Sequence, residues 1–300
     1  MNFRLTLFFS VISLYYLNSL KAQTPAHFLA GKVMESEAFN SKILGKEVKY
    51  TIYLPPGYEH SNRKYPVVYL LHGYTDTDIA WVQFGEIQTI ADKGINEGSI
   101  PPMIIVTPDA GVTWYINDHD GKVKYEDMFI GEFIPYIDQN YRTRTKKEFR
   151  GVSGLSMGGY GAFIYAIKHP DLFVACAPLS AAFYTEEEVV NYDRDRWDRI
   201  ESVLYGKDLQ GQDRITEHWK ANNPFHILEN RSIEDIKSVR YYFDCGDDDF
   251  LYKGNNKMHT VLRDKKIPHE FRIRDGGHTW EYWRTGILDA LIFISQSFHR

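Results

Sequence analysis

The sequence predicts an α/β protein, built on a mostly parallel, twisted sheet with helices on both faces and an insertion over the sheet's carboxyl edge. Three observations lead there. Short apolar runs such as Pro66-Val67-Val68-Tyr69-Leu70-Leu71 and Met103-Ile104-Ile105-Val106-Thr107 have the length of strands and almost no polar face, as burial on both sides requires. Between such runs lie segments with apolar residues at helical spacing, and strand–helix alternation of this length builds βαβ units. One long stretch, 182–236, interrupts the alternation between two core strands.

Taken in order, residues 1–22 stand apart. Arg4 precedes a mostly apolar run from Leu5 to Leu20, which is followed by Lys21-Ala22. This pattern reads as a secretory signal cleaved after Ala22, so the mature protein is expected to be secreted or periplasmic. The run falls short of the roughly 20 residues of a membrane span and includes Ser10, Ser13, Asn18 and Ser19. Residues 23–300 are then expected to form one domain. Lys49 to Leu54 alternates with a period of two and ends at Pro55-Pro56-Gly57, a strand and its turn. The apolar runs at 66–71 and 103–107 follow, separated by a helix over 78–96 (Ile79, Trp81, Val82, Ile87, Ile90, Ala91, Ile95). A helix over 125–140, a strand at 149–152, a helix at 157–168 and a strand at 173–179 continue the pattern. After the interruption come a strand at 240–243, a helix at 254–265, a last strand at 270–273 and a closing helix at 287–298. Two readings of 182–236 are open. It is a lid-like insertion over the sheet's carboxyl edge, or a solvated helical excursion in which the charged run 192–199 is plain surface.

The composition excludes several classes of function. The 300 residues are 43% hydrophobic and 15% aromatic, ample for a large core, with no repeat or low-complexity tract. Removing residues 1–22 takes away Arg4 and Lys21 and no acid, so 35 basic side chains become 33 against 40 acidic, a net charge of −7. An acidic chain without a basic stripe is a poor partner for nucleic acid or for an anionic membrane surface. No CxxC or HExxH is present, so no metal site is expected. Cys176 and Cys245 are equally readable as one disulfide or as two buried thiols.

Chemistry is suggested by Gly154-Leu155-Ser156-Met157-Gly158. A G-x-S-x-G match arises by chance in roughly one chain of this length in ten. Its context is sharper: it follows a strand and opens a helix, the setting of a nucleophile elbow, with the helix's first amide at Met157 available to an oxyanion. A serine hydroxyl needs a base and an orienting acid, which follow it in the order Ser, Asp or Glu, His. Downstream, Asp244-Cys245-Gly246-Asp247-Asp248-Asp249 and Asp275-Gly276-Gly277-His278 each follow a strand. His278 is the candidate base, while Asp244, Asp247, Asp248 and Asp249 are all candidates for the acid. Leu70-Leu71-His72-Gly73-Tyr74 ends a strand, and an amide there, of Gly73 or Tyr74, is expected to complete the oxyanion hole with Met157.

At these residues the sequence resembles the α/β-hydrolase esterase family that includes esterase D, the mycolyltransferases and the family 1 carbohydrate esterases (feruloyl and acetyl-xylan esterases). The resemblance rests on LLHGYTDTDIAW (70–81), RGVSGLSMGGYGA (150–162), DCGDDDFLY (244–252) and GGHTWEYWR (276–284), and covers about residues 45–298. It implies the α/β-hydrolase fold, Ser156 as nucleophile, His278 as base and Asp249 as its orienting acid. It also implies the Tyr74 and Met157 amides as oxyanion donors, and no cofactor. The segment 108–115 resembles a stretch bordering the acyl pocket, which implies that Gly73, Trp114 and Tyr115 lie against substrate. The substrate implied is an ester, small or linked to a polysaccharide, with feruloyl or acetyl groups on plant polysaccharide foremost.

Overall fold

The computed structural model describes residues 29–298; the expected signal segment lies outside the described residues. Eight strands form one sheet in the order β1-β2-β4-β3-β5-β6-β7-β8. They are β1 Lys32–Ser41, β2 Lys46–Leu54, β3 Val67–Leu71, β4 Ile104–Pro108, β5 Arg150–Leu155, β6 Ala175–Leu179, β7 Arg240–Gly246 and β8 His269–Arg274. The first two pairings, β1 with β2 and β2 with β4, are antiparallel, and every other pairing is parallel. With helices on both faces, this is the α/β-hydrolase fold.

The apolar runs of the sequence explain the layering. In β3 all five side chains are fully buried. Successive residues of a strand face opposite sides, so Val67, Tyr69 and Leu71 join one core with Phe129, Phe133 and Phe163, while Val68 and Leu70 join a second core with Trp81, Ile287 and Leu291. Helix α1 (Ile87–Asn96) and the last helix lie over the second core. Helix α2, residues 125–140, and helix α3 (Met157–Lys168) lie over the first, as does α4 (Tyr252–Asp264). Among the described residues no helix is long and apolar enough to cross a membrane.

Several elements depart from the sequence-based expectation. β1 has no counterpart among the expected strands, because an edge strand with half its residues exposed and only two buried carries no apolar signal. The expected helix over 78–96 is two, Ala80–Gln83 and α1, broken where Glu86 takes φ 52°. The last helix, α5, runs Trp280–Ser295 and so begins seven residues before the expected 287; Thr279 caps it by accepting the Tyr282 amide. β5 extends to Leu155, which places Ser156 directly at its end. Cys176 and Cys245 are both free and buried. Cys176 pairs in register with Tyr241, four residues short of Cys245, a separation of about 13 Å along the strand that no disulfide spans.

Residues 182–236 form a string of short helices, and Thr185, Asp193, Thr216, Asn223 and Ser232 each accept an amide of the turn they begin. The charged run has two sides. Arg194 pairs with Asp198 and Arg199 with Asp195 in solvent, while Trp197 is fully buried and donates its indole N–H to the Gly206 carbonyl. Glu201 is buried as well. Burial raises its carboxyl to about 7 from 4.5, a shift that the nearby charges of Arg196 and Arg214 oppose. The folded state therefore holds this proton more tightly than the unfolded chain. Ionising Glu201 costs nothing below pH 4.5, progressively more as pH rises toward 7, and about 3 kcal/mol above that. Glu201→Gln removes the cost. Scanning calorimetry is expected to show the variant melting above the wild type at pH 8, with the gap closing near pH 4; an equal gap at both pH values would contradict this.

Candidate active site

The site is built from the carboxyl ends of the parallel strands. β5 ends at Leu155, α3 starts at Met157, and Ser156 alone makes the turn at φ 54°, ψ −116°. A side chain in this region costs about 1–3 kcal/mol and persists only where its surroundings hold it. Here they do: Ser156 N–H donates to the Leu179 carbonyl, and its own carbonyl accepts from Tyr160 and Ala182. The turn is also tight. A Cβ on Gly158 would lie 2.4 Å from the Leu71 carbonyl oxygen and 2.6 Å from that of His72, both backbone atoms with no freedom to yield. Gly158→Ala is thus expected to push α3 off the end of β3, costing about 1–3 kcal/mol in a urea melt. The same shift moves the Met157 amide, and kcat is expected to drop about 100-fold. A Gly158→Ala variant with wild-type stability and kcat would refute that packing argument.

Three side chains from three strand ends converge on this turn. The Ser156 hydroxyl lies 2.9 Å from His278 Nε2, and His278 Nδ1 lies 2.9 Å from Asp249 Oδ2. Asp249 is 1% exposed. Burial pushes its carboxyl up, but the hydrogen bond and charge of His278, with the Leu251 amide on Oδ1, outweigh burial and hold it below the usual carboxylate range. Its three neighbours are placed otherwise. Asp244 is fully buried and bound by Arg274, Tyr242 and Tyr282; Asp247 points outward and accepts from the Gly276 amide; Asp248 is exposed.

The loop after β3 faces the elbow. Trp81 donates its indole N–H to the Leu71 carbonyl, and the Tyr115 hydroxyl donates to that of His72. His72 Nε2 accepts from the Ala110 amide, which places the ring proton on Nδ1, where it donates to the Gly73 carbonyl. Three successive carbonyls are thereby pinned. The Gly73 amide faces the Asp76 carboxyl, which burial raises and which His72 and that amide partly lower, while the Asp76 amide donates to the Gly73 carbonyl. In the trans Gly73–Tyr74 peptide the N–H points away from a carbonyl already held by His72, which leaves Tyr74 as the open donor of the pair.

Gly73, Tyr74 and Trp114 border a cleft of about 430 Å³ that also holds Ser156, Met157 and His278. Tyr115 is not among its walls. It is fully buried, with its hydroxyl spent on the His72 carbonyl, so the implied contact of Tyr115 with substrate is corrected to a supporting one beneath the loop. Sequence reasoning named no residue of the insertion; Ala182, Tyr184, Arg196 and Ile200 line the same cleft, which favours the lid-like reading of 182–236 over a purely solvated excursion. A second cavity of about 370 Å³, bordered by Lys46, Val48, Val112 and Leu204, contains none of the three convergent side chains. One carboxylate oxygen each from Asp247, Asp248 and Asp275 lies within 4.8 Å of the others beside the site, and all three residues are exposed.

Comparison with known proteins agrees with the fold. Residues 41–294 match the model of the Esterase family. An esterase of Mycobacterium tuberculosis (strain ATCC 25618 / H37Rv) is 29% identical over 260 residues, covering 81% of this chain and 55% of its own. An endo-1,4-beta-xylanase/feruloyl esterase of Xylanibacter ruminicola is 32% identical over 163 residues, 52% of this chain and 22% of its own. The chain thus spans about half the length of the mycobacterial relative and about a fifth of the bifunctional one. Among solved structures, a ferulic acid esterase superposes with a TM-score of 0.76 at 33% identity, covering 90% of this chain and 100% of the other. With the family match running from before β2 to the end of α5, the chain belongs to the Esterase family.

Proposed function

We propose that the protein is a secreted serine carboxylic-ester hydrolase that removes feruloyl groups from plant polysaccharide. The observation that carries the chemistry is the unbroken chain Ser156 Oγ, His278, Asp249 at two distances of 2.9 Å. His278 Nε2 accepts the Ser156 proton as Oγ attacks the ester carbonyl, while Asp249 holds Nδ1–H and balances the imidazolium that forms. The Tyr74 and Met157 amides stabilise the oxyanion. His278 then returns the proton to the departing alcohol, and water attacks the acyl-enzyme under the same base.

The acyl assignment draws on the feruloyl esterase activity named for the Xylanibacter relative and on the ferulic acid esterase structure. It is supported by a cleft walled by Tyr74, Trp114, Tyr184, Phe250, Trp280 and Trp283, which suits a planar aryl acyl group. Export rests on the character of residues 1–22. The test is a substrate panel of methyl ferulate, nitrophenyl acetate, acetylated xylan and S-formylglutathione, since a mouse S-formylglutathione hydrolase is 24% identical over 87% of this chain and 91% of its own. Methyl ferulate is expected to be turned over with the highest kcat/KM. A preference for S-formylglutathione would overturn the polysaccharide reading and keep the hydrolase.

A further inference from the structure

The cleft has two aromatic walls. In one, the His278 ring touches Phe250 at 4.5 Å and Trp283 at 4.8 Å between centroids, and Trp283 touches Trp280 at 5.5 Å. In the other, Trp114 contacts Tyr74 at 6.3 Å and Tyr184 at 6.2 Å, and the Arg196 guanidinium lies 4.8 Å from the Tyr184 ring centre. The reaction tells the walls apart. The departing alcohol must take its proton from His278 Nε2, so the alcohol sits along the His278 wall and the acyl group runs toward the other. That second wall ends at Arg196, in the insertion.

Arg196 differs from its neighbours. Arg194 and Arg199 each pair with a carboxylate on the outer side of the segment. Among the described residues Arg196 makes no ion pair at contact distance, the buried Glu201 acting on it only through space, and it is the only arginine or lysine lining the cleft. Its guanidinium is half-buried, stacked over Tyr192 at 4.0 Å and over Tyr184, with Nη2 donating to the Tyr192 hydroxyl. Aromatic faces hold the cation in place without neutralising it. A guanidinium carries five donors in a rigid fork, and the Tyr192 and Tyr184 hydroxyls engage only part of it.

We infer that Arg196 binds an acceptor oxygen at the end of the acyl group remote from the ester carbonyl. The class of acyl group selected is one with such an oxygen, either a phenolic ring of the hydroxycinnamoyl type or a chain ending in a carboxylate. The inference rests on reading Ser156 and His278 as the reacting pair. It makes the insertion a determinant of acyl specificity, with Tyr184 as the stacking face and Arg196 as the polar terminus.

The experiment measures kcat/KM of the full chain, wild type, Arg196→Met and Arg196→Lys, in two matched pairs. Methyl coumarate is compared with methyl cinnamate, which lacks the ring oxygen, and the nitrophenyl hemisuccinate with the nitrophenyl butyrate. Using the ratio within each pair cancels any loss of folding or of turnover common to all esters. The wild type is expected to favour the oxygen-bearing partner of at least one pair by about tenfold, the size of one hydrogen bond to a charged group. Arg196→Met is expected to bring that ratio to about one, and Arg196→Lys, which keeps a charge and loses the fork, to an intermediate value. A wild-type ratio near one in both pairs, or a ratio that survives in Arg196→Met, overturns the inference. If neither aryl ester is hydrolysed but the hemisuccinate preference appears and depends on Arg196, the feruloyl reading fails while the role of Arg196 stands.

Discussion

Ser156→Ala is expected to lower ester hydrolysis by about 10⁴ to 10⁶-fold while leaving the melting temperature essentially unchanged. The effect is large because a hydroxyl cannot be replaced by the other members of the site. His278 loses the group whose proton it takes, and what survives is the contribution of the oxyanion donors and of substrate binding. The fold survives because, among the described residues, the Ser156 side chain bonds only to His278, whereas the strained turn is held by backbone contacts to Leu179, Tyr160 and Ala182 that alanine retains. Alanine also keeps the Cβ, so the turn's strain is the same in both proteins. Burst kinetics with nitrophenyl acetate and labelling by a fluorophosphonate provide independent readings. Variant turnover within tenfold of the wild type, in a protein with unaltered circular dichroism, would remove Ser156 from the mechanism.

Asp249→Asn comes next, with an expected loss of about 10³ to 10⁴-fold in kcat and a small change in KM. The direction follows from the contacts. The Leu251 amide donates to Asp249 Oδ1, and that bond keeps the amide oxygen of an asparagine at the same position. The NH₂ group then faces His278 Nδ1, 2.9 Å away in the wild type, and donates where the carboxylate accepted. The imidazole responds by moving its proton to Nε2, and a protonated Nε2 cannot receive the Ser156 proton. Asp247→Asn and Asp248→Asn are expected to stay within about threefold of the wild type, because their side chains point into solvent where charge effects are screened. A loss at Asp247 or Asp248 matching that at Asp249 would move the orienting role. Because the hydrogen bond and charge of His278 and the Leu251 amide outweigh burial at Asp249, its carboxyl is expected to stay ionised as the pH falls into the usual carboxylate range.

Much of the fold was legible because burial on both faces of a strand leaves a mark in the sequence. β3 and β4 are apolar at nearly every position for that reason, and the helical spacing between them reflects one-sided burial of the connecting helices. β1 left no such mark, since most of its side chains meet water. The start of α5 was obscured for a related reason: Trp280, Tyr282 and Trp283 are helical only because Thr279 caps them and the sheet accepts their rings. The break at Glu86 depends on a left-handed residue that no apolar pattern announces.

The candidate site shows the same division. Local sequence marked the elbow through the glycines around Ser156, which the crossing of α3 over β3 demands, and it placed acidic and histidine-bearing loops after the right strands. It did not separate four aspartates by their chemistry, because Asp244, Asp247, Asp248 and Asp249 differ only in what surrounds them: a half-buried arginine and two tyrosines, a backbone amide, solvent, and His278. Nor did it show that Arg196 turns inward while Arg194 and Arg199 pair in solvent, or that Tyr115 lies beneath the loop beside Trp114. Periodicity along one chain fixes which residues share a face of an element. Which face meets the cleft is decided only when distant segments pack, and that contact has no local trace in the order of residues.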